Sequence, residues 1–204
     1  LGRPFLAHQL EALARGGIGK AVLCTGYLAD QVVEGFGDRF AGIDLSYSRE
    51  DEPLGTGGAA RLAAERVEAE DYLVVNGDSF AAVDYPAMTG SYRAAGRLPL
   101  MALVEVADAA RYGRVELQPQ TANNSRIEAI RKFVEKGERA AGWINAGVYL
   151  LTREELLGLP GGVTCSLERD LFPRLVEEGR LTAFRAGSLF IDIGTPASYA
   201  VAEA

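Results

Sequence analysis

The chain has 204 residues, 48% hydrophobic and 24% charged, ordinary globular proportions that exclude a disordered polymer and allow a real core without disulfides or a structural metal. A formal net charge of −7 argues against a nucleic-acid groove or an anionic membrane surface as partner, while leaving room for a local basic pocket for phosphates. No apolar run approaches membrane-spanning length, nothing reads as a signal peptide, and two cysteines without CxxC pairing beside a single histidine suggest neither a disulfide framework nor a zinc site, so a reducing, cytoplasmic setting is expected.

Taken in order, the chain reads first as alternating helix and strand. Pro4 suits a first helical turn, and Leu6, Leu10 and Leu13 recur at helical spacing until Gly16-Gly17. Lys20 to Thr25 is a short apolar strand, Gly26-Tyr27 turns into a helix carrying Val32, Val33 and Phe36, and Asp44 to Ser48 alternates as the next strand. This α-β-α-β rhythm is that of a parallel sheet with helices on its faces. The loop Arg49 to Gly58 (REDEPLGTGG) then opens an Ala-rich helix over Ala59 to Glu65. Its glycines let a backbone pass close to a ligand; the plainer reading is a turn with a helix cap at Thr56.

Asp71 to Asp78 (DYLVVNGD) organises the rest. Four apolar residues, Tyr72 to Val75, running into Asn-Gly-Asp predict a strand buried on both faces, as in a parallel sheet, that presents Asp78 at its carboxyl end, where open α/β sheets bind ligands. Gly77-Asp78 alone could equally be a simple turn. Asp84 and Pro86 predict a helix to Gly96, followed by strands over Leu98 to Val106, Gly113 to Leu117, Ile127 to Lys136 and Trp143 to Leu151. Gln118 to Ser125 is the one clearly loop-like polar stretch. Ser166 starts a helix with Glu168 and Asp170 in its first turn, short strands follow over Leu181 to Arg185 and Leu189 to Ile193, and Pro196 begins a terminal helix. The strand-rich second half reads as an antiparallel elaboration of an α/β core, and the absence of any linker predicts one domain over residues 1–204.

Three further groups carry chemistry. Asp192 lies between apolar residues and a glycine turn, and a buried carboxylate needs a cation, a donor or a metal; it could equally be the neighbour of a helix capped by Thr195. Glu135-Lys136 reads on its own as a solvated ion pair, and Gly147 as a strand bulge.

Together, EPLGTGG, VVNGD, RYGRVE, FVEK, INAGVYLL, SLERD and FIDIGTP resemble the sugar-1-phosphate nucleotidyltransferase family along essentially the whole chain, most of all its D-glycero-D-manno-heptose 1-phosphate and mannose-1-phosphate guanylyltransferases. The resemblance implies a Rossmann-like three-layer α/β sandwich with a mixed, mainly parallel sheet. The implied reaction is attack of a sugar 1-phosphate on the α-phosphorus of a nucleoside triphosphate, with pyrophosphate leaving. It also implies Mg²⁺ held by Asp78 and Asp192, which suits an ion that takes one or two carboxylates plus phosphate oxygens and water. Asp78 and Lys136 are then the catalytic residues, Lys136 on the sugar's phosphate. Glu135, Gly113, Asn145 and Gly147 match the family's sugar pocket, Leu54, Gly55 and Thr56 match the loop that packs on the base, and Gly77, beside Asp78, is a further substrate-binding position. Either Glu50 or Glu52 would read the base edge. A carboxylate only accepts hydrogen bonds, which favours guanine, with donors at N1 and N2, over uracil or thymine.

The expected partners are a nucleoside triphosphate and a sugar 1-phosphate, with no nucleic acid and no membrane; a homo-oligomer is compatible with the resemblance. Leu1 to Leu6 matches the segment just after the family's glycine-rich phosphate loop, so that loop and its strand are expected upstream of the sequence given. The alternatives are a noncatalytic nucleotide-sugar-binding regulator, a thymidylyl-, uridylyl- or cytidylyltransferase acting on glucose 1-phosphate, and a glycosyltransferase. Ser79-Phe80 after Asp78 breaks the Asp-x-Asp pattern of the last.

Overall fold

A computed structural model describes residues 2–112, 114–118, 127–134 and 140–202 and divides into two compact units. The first comprises Gly2–Glu70 and Arg153–Leu171. Helix α1 (Phe5–Arg15) buries Leu10 and Leu13 at the predicted spacing, with Pro4 at the N-cap. Strand β1 (Lys20–Thr25) leads to α2 (Ala29–Phe36), β2 (Arg39–Phe40) and β3 (Ile43–Arg49). β1 and β3 pair in parallel from Lys20↔Asp44 to Thr25↔Arg49, and β2 adds an antiparallel edge that the sequence pattern did not suggest. Two residues are too short to show a periodicity.

Helix α3 (Gly55–Arg66) packs on β1 and β3 and on two later pieces of the same unit, α5 (Arg153–Leu157) and the π-helical turn Leu167–Leu171. Ala60, Ala63 and Ala64 are buried there, small enough to bring the helix close to its neighbours. Arg61 donates from Nη1 to the carbonyls of Leu157 and Leu159, satisfying groups at the end of α5.

The second unit comprises Asp71–Thr152 and Phe172–Ala204. Its elements are β4 (Asp71–Val75), β5 (Ser79–Ala81), α4 (Tyr85–Ala94), β6 (Leu100–Val106), β7 (Arg114–Leu117), β8 (Ile127–Val134), β9 (Gly142–Thr152), α6 (Phe172–Glu177), β10 (Thr182–Arg185), β11 (Phe190–Asp192) and α7 (Pro196–Ala202). Six strands form one sheet in the order β4-β9-β6-β10-β8-β7, and β5 pairs separately with β11. Leu100 to Val104 on β6 and Ile144, Tyr149 and Leu151 on β9 are buried, so these two strands make the core. Asp84 caps α4 by accepting from the N–H of Ala87, and Met88 and Tyr92 on that helix are fully buried.

The sheets are mixed, as expected, but not mainly parallel: among the described strand pairings only β1–β3 and β6–β10 run parallel, and the rest are antiparallel. The expectation for β4 needs correction: it is half-buried along its length and pairs antiparallel with β9. A continuous apolar run reports cover on both faces and carries no information on the direction of the neighbour.

Candidate functional site

The second unit holds a cleft of about 420 Å³ at the carboxyl end of β4. Two strand pairings build it. β9 bulges against β6: between the pairs Met101↔Tyr149 and Leu103↔Asn145 lie one residue on β6 and three on β9. Gly147 sits in this bulge at φ +73°, and its carbonyl accepts from Asn76 N–H at 2.8 Å. A Cβ on Gly147 would stand 2.5 Å from Ser79 Oγ and 3.0 Å from Asn76 Cβ, so both the backbone sign and the space require glycine. Asn145 braces the bulge, accepting from Gly147 N–H at 2.9 Å and donating to the Tyr149 hydroxyl at 2.8 Å.

The second pairing is β5 with β11, which sets Asp192 opposite Ser79, while Ile193 N–H donates to the Asp78 carbonyl at 2.8 Å. The carboxylates of Asp78 and Asp192 thereby converge: an oxygen of each lies 3.1 Å from the point where a Cβ on Gly194 would stand. Two like charges drawn together need cationic company. Part of it is Arg111, whose Nη2 donates to Asp192 Oδ2 and to Thr195 Oγ1, both at 3.3 Å. Gly194 N–H donates to Asp192 Oδ1 at 2.8 Å, and the Tyr112 hydroxyl also hydrogen-bonds this carboxylate. Burial pushes the Tyr112 hydroxyl above the ordinary tyrosine range, and the charge of Asp192 adds to the push. The Arg111 guanidinium lies 5.4 Å over the Tyr112 ring, which meets Phe190 edge-on at 5.4 Å, so the aromatic pair seats the cation.

Among the described residues no group of three or more His, Cys, Asp or Glu side chains could hold a metal. A pair of carboxylates converging over a glycine still fits Mg²⁺, which draws its remaining ligands from phosphate and water. Thr195 plays its plain structural part as well, its hydroxyl accepting from Ser198 N–H at 3.1 Å at the start of α7.

In the first unit, the loop after β3 is held by contacts within the chain itself. Glu50 Oε2 accepts from Leu54 N–H at 2.8 Å, closing the turn, whereas Glu52 is exposed. Gly55, at φ +72°, would place a Cβ 2.5 Å from the Cys165 carbonyl oxygen. Gly57 and Gly58 donate their N–H groups to that same oxygen at 3.0 and 3.3 Å, and Cys165 N–H donates to Leu54 O at 2.8 Å. Close approach explains these glycines, and the approached backbone belongs to the chain itself. Thr56 does not cap α3, which carries no side-chain cap. Its hydroxyl accepts from Leu167 N–H at 3.0 Å and donates to Glu168 Oε2 at 2.8 Å.

Asp78, Asn145, Gly147 and Asp192 therefore line one cleft. Gly77 occupies the turn before Asp78 without lining it, and Glu50, Glu52, Leu54, Gly55 and Thr56 form the loop of the first unit. Gly113, Glu135 and Lys136, and all of the 118–125 loop except Gln118, lie outside the described residues. Arg111, Tyr112, Asn76 and Phe190 also line the cleft but were not singled out from sequence. The RYG motif contained the first two, but the partner of Arg111 lies 81 residues away, beyond any local signal. No helix among the described residues is long and apolar enough to cross a membrane.

A family model described as Nucleotidyl transferase matches residues 1–204. The chain is 32% identical over 201 residues to the D-glycero-alpha-D-manno-heptose 1-phosphate guanylyltransferase of Aneurinibacillus thermoaerophilus, covering 98% of this chain and 84% of that protein. It is 32% identical over 202 residues to the mannose-1-phosphate guanylyltransferase of Mycobacterium tuberculosis, covering 97% of this chain but 54%, about half, of that relative. Among solved structures, HddC from Yersinia pseudotuberculosis complexed with GMP-PN superposes with a TM-score of 0.82 at 31% identity, over 98% of this chain and 84% of that one.

Proposed function

Because the chain belongs to the nucleotidyl transferase family, we propose that it transfers GMP from GTP to a manno-configured sugar 1-phosphate, of a heptose or of mannose, releasing pyrophosphate. The observation that carries this reading is the convergence of Asp78 and Asp192 over Gly194 with Arg111 alongside. Its chemistry suits two polyanions that must be brought together and neutralised.

In the proposed reaction an ionised oxygen of the sugar's phosphate attacks the α-phosphorus. The new O–P bond forms as the bond to the β-phosphate oxygen breaks, and the electron pair leaves with pyrophosphate. The attacking oxygen carries no proton, so no side chain serves as general base. Nucleotidyltransferases of this family generally use a divalent metal; we assign its two protein ligands to Asp78 and Asp192, where Mg²⁺ would neutralise phosphate charge. Arg111 offers a guanidinium to the same anions, and Lys136 is assigned to the sugar's phosphate.

Gly113, Asn145 and Gly147, with Glu135, are assigned to the sugar. Asn145 acts there by holding the β9 bulge, since both ends of its amide are engaged. Glu52 is the better candidate to meet the N1 and N2 donors of guanine, because Glu50 already accepts from Leu54 N–H. We place the reaction in the cytoplasm, whose reducing conditions suit the free thiols of Cys24 and Cys165.

The test is pyrophosphate release with Mg²⁺, offering GTP, UTP, CTP, dTTP and ATP against mannose, heptose and glucose 1-phosphates. Release confined to GTP and a manno-configured sugar is expected. Silence across the panel from protein carrying the family's phosphate loop would overturn the catalytic reading.

A further inference from the structure

Ser166 and Glu168 in the SLERD motif are left without a part by the reaction just described. In the first unit they face the loop that precedes and opens α3. Thr164 Oγ1 donates to Pro53 O at 2.9 Å, and backbone bonds join Cys165 to Leu54, Gly57 and Gly58. Glu168 Oε2 then accepts two hydroxyls at 2.8 Å, from Thr56 and from Ser166. The Ser166 hydroxyl oxygen in turn accepts from Arg169 N–H at 3.3 Å, and Asp170 Oδ2 accepts from Ser166 N–H at 2.7 Å. The SLERD segment is thus fixed by its own bonds before it reaches across to the loop.

That arrangement decides what Thr56 can do. Its one hydroxyl proton goes to Glu168 and its oxygen already accepts from Leu167 N–H, so it has no proton to give a ligand while the contact lasts. A hydroxyl donating to an ionised carboxylate is among the stronger side-chain hydrogen bonds and is hard to displace. Glu168 stands in a π-helical turn, a geometry that inserts a residue into a helix and frequently marks functional sites.

We infer that Glu168 is a positioning residue for nucleotide recognition: through Thr56 it fixes the backbone of Leu54 to Thr56, with Ser166 holding the carboxylate's aim. The inference rests on the reading of residues 50–56 as the nucleotide loop. Glu168 touches no substrate. It lowers the ordering cost of binding by keeping the loop in one conformation beforehand.

The experiment titrates the full chain with a fluorescent methylanthraniloyl-GTP and, separately, with mannose 1-phosphate, and splits kcat from KM for each substrate. Glu168→Ala is expected to weaken GTP binding and raise its KM about tenfold, while mannose 1-phosphate binding stays within about twofold. Glu168→Gln keeps a carbonyl oxygen that can accept both hydroxyls, and is expected to stay within about threefold of the parent. Glu52→Ala serves as the control for the loop itself. If Glu52→Ala weakens GTP and Glu168→Ala does not, the inference falls and the nucleotide loop stands. If neither variant changes GTP binding, the loop reading has failed and the inference goes with it. Equal loss of both ligands in both Glu168 variants, with a lowered thermal midpoint, would make Glu168 a fold-holding residue only and would also overturn it.

Discussion

The carboxylate cleft and the glycine loop use the same kind of residue for opposite ends. In the cleft, Gly147 and Gly194 clear space so that side chains from distant strands can meet: Asn76, Ser79, Asp78 and Asp192 all crowd the positions that a Cβ would take. In the loop, Gly55 and Gly57 clear space for Cys165, and Gly58 for the Leu54 side chain and the Val163 carbonyl, while the N–H groups of Gly57 and Gly58 both donate to the Cys165 carbonyl. The cleft is organised by side-chain charge and the loop by main-chain contact. Charge-altering substitutions should therefore strike the first alone, and steric ones both, with different functional signatures.

The largest effect is expected from the carboxylates. Asp78→Asn and Asp192→Asn each remove one of two charges that the proposed reaction needs, and turnover should fall by about 10²–10³-fold or more. The thermal midpoint should hardly move for Asp78→Asn. Asp192→Asn should cost about 1 kcal/mol more, because Arg111, Tyr112 and Gly194 all bond the Asp192 carboxylate. Rates near the parent's in either variant, measured beside the melts, would remove the metal assignment and the contrast with it.

Steric substitutions come next. Alanine at Gly147 or Gly55 meets both a positive φ and an atom at 2.5 Å, and each should lower stability by about 2–3 kcal/mol in urea unfolding. Their functional signatures should separate. Gly147→Ala disturbs Asn76 and Ser79 and should raise KM for the sugar phosphate, whereas Gly55→Ala should raise KM for GTP. Gly194→Ala sharpens the point further: φ at Gly194 is not positive, so the fold should tolerate alanine, but the methyl would stand 3.1 Å from both carboxylates and should depress turnover with little change in melting. Identical substrate profiles for Gly147→Ala and Gly55→Ala would dissolve the distinction between the two regions.

Much of this was legible in the sequence because it is local. Lys20 to Thr25 forms β1 with the expected bounds, the leucine spacing marks α1, and Asp84 caps α4 where its position before Pro86 suggests. Asp78 and Asp192 could be named as a pair through the family resemblance, but nothing local reveals that β5 and β11 bring them together, since three-residue strands carry no readable period. What Gly55 approaches and what Thr56 bonds within the chain were not legible for a related reason. A glycine announces that something comes close without saying what, and Cys165, about a hundred positions on, gives no sign of being the visitor. Arg111 stayed hidden because an exposed arginine in a turn is common, and only the fold reveals its carboxylate.

The smallest effect, and the finest test of the cleft's charge arrangement, concerns Tyr112. Burial, the charge of Asp192 and the hydrogen bond to it all hold the proton on this hydroxyl more tightly in the folded chain, and only Arg111 opposes them. A raised folded pKa means that this interaction contributes fully below the unfolded tyrosine value of about 10 and is lost as pH rises through the higher folded value. Tyr112→Phe removes the hydroxyl and should cost roughly 0.5–1.5 kcal/mol at neutral pH. The difference in unfolding free energy between parent and variant should stay flat to about pH 10 and shrink beyond it. Tyr47 and Tyr85, also raised by burial, contribute equally to both proteins and cancel in the difference. A difference that widened above pH 10 would mean that the Tyr112 phenolate is stabilised in the cleft, which would make Arg111, and not Asp192, the charge that Tyr112 answers to.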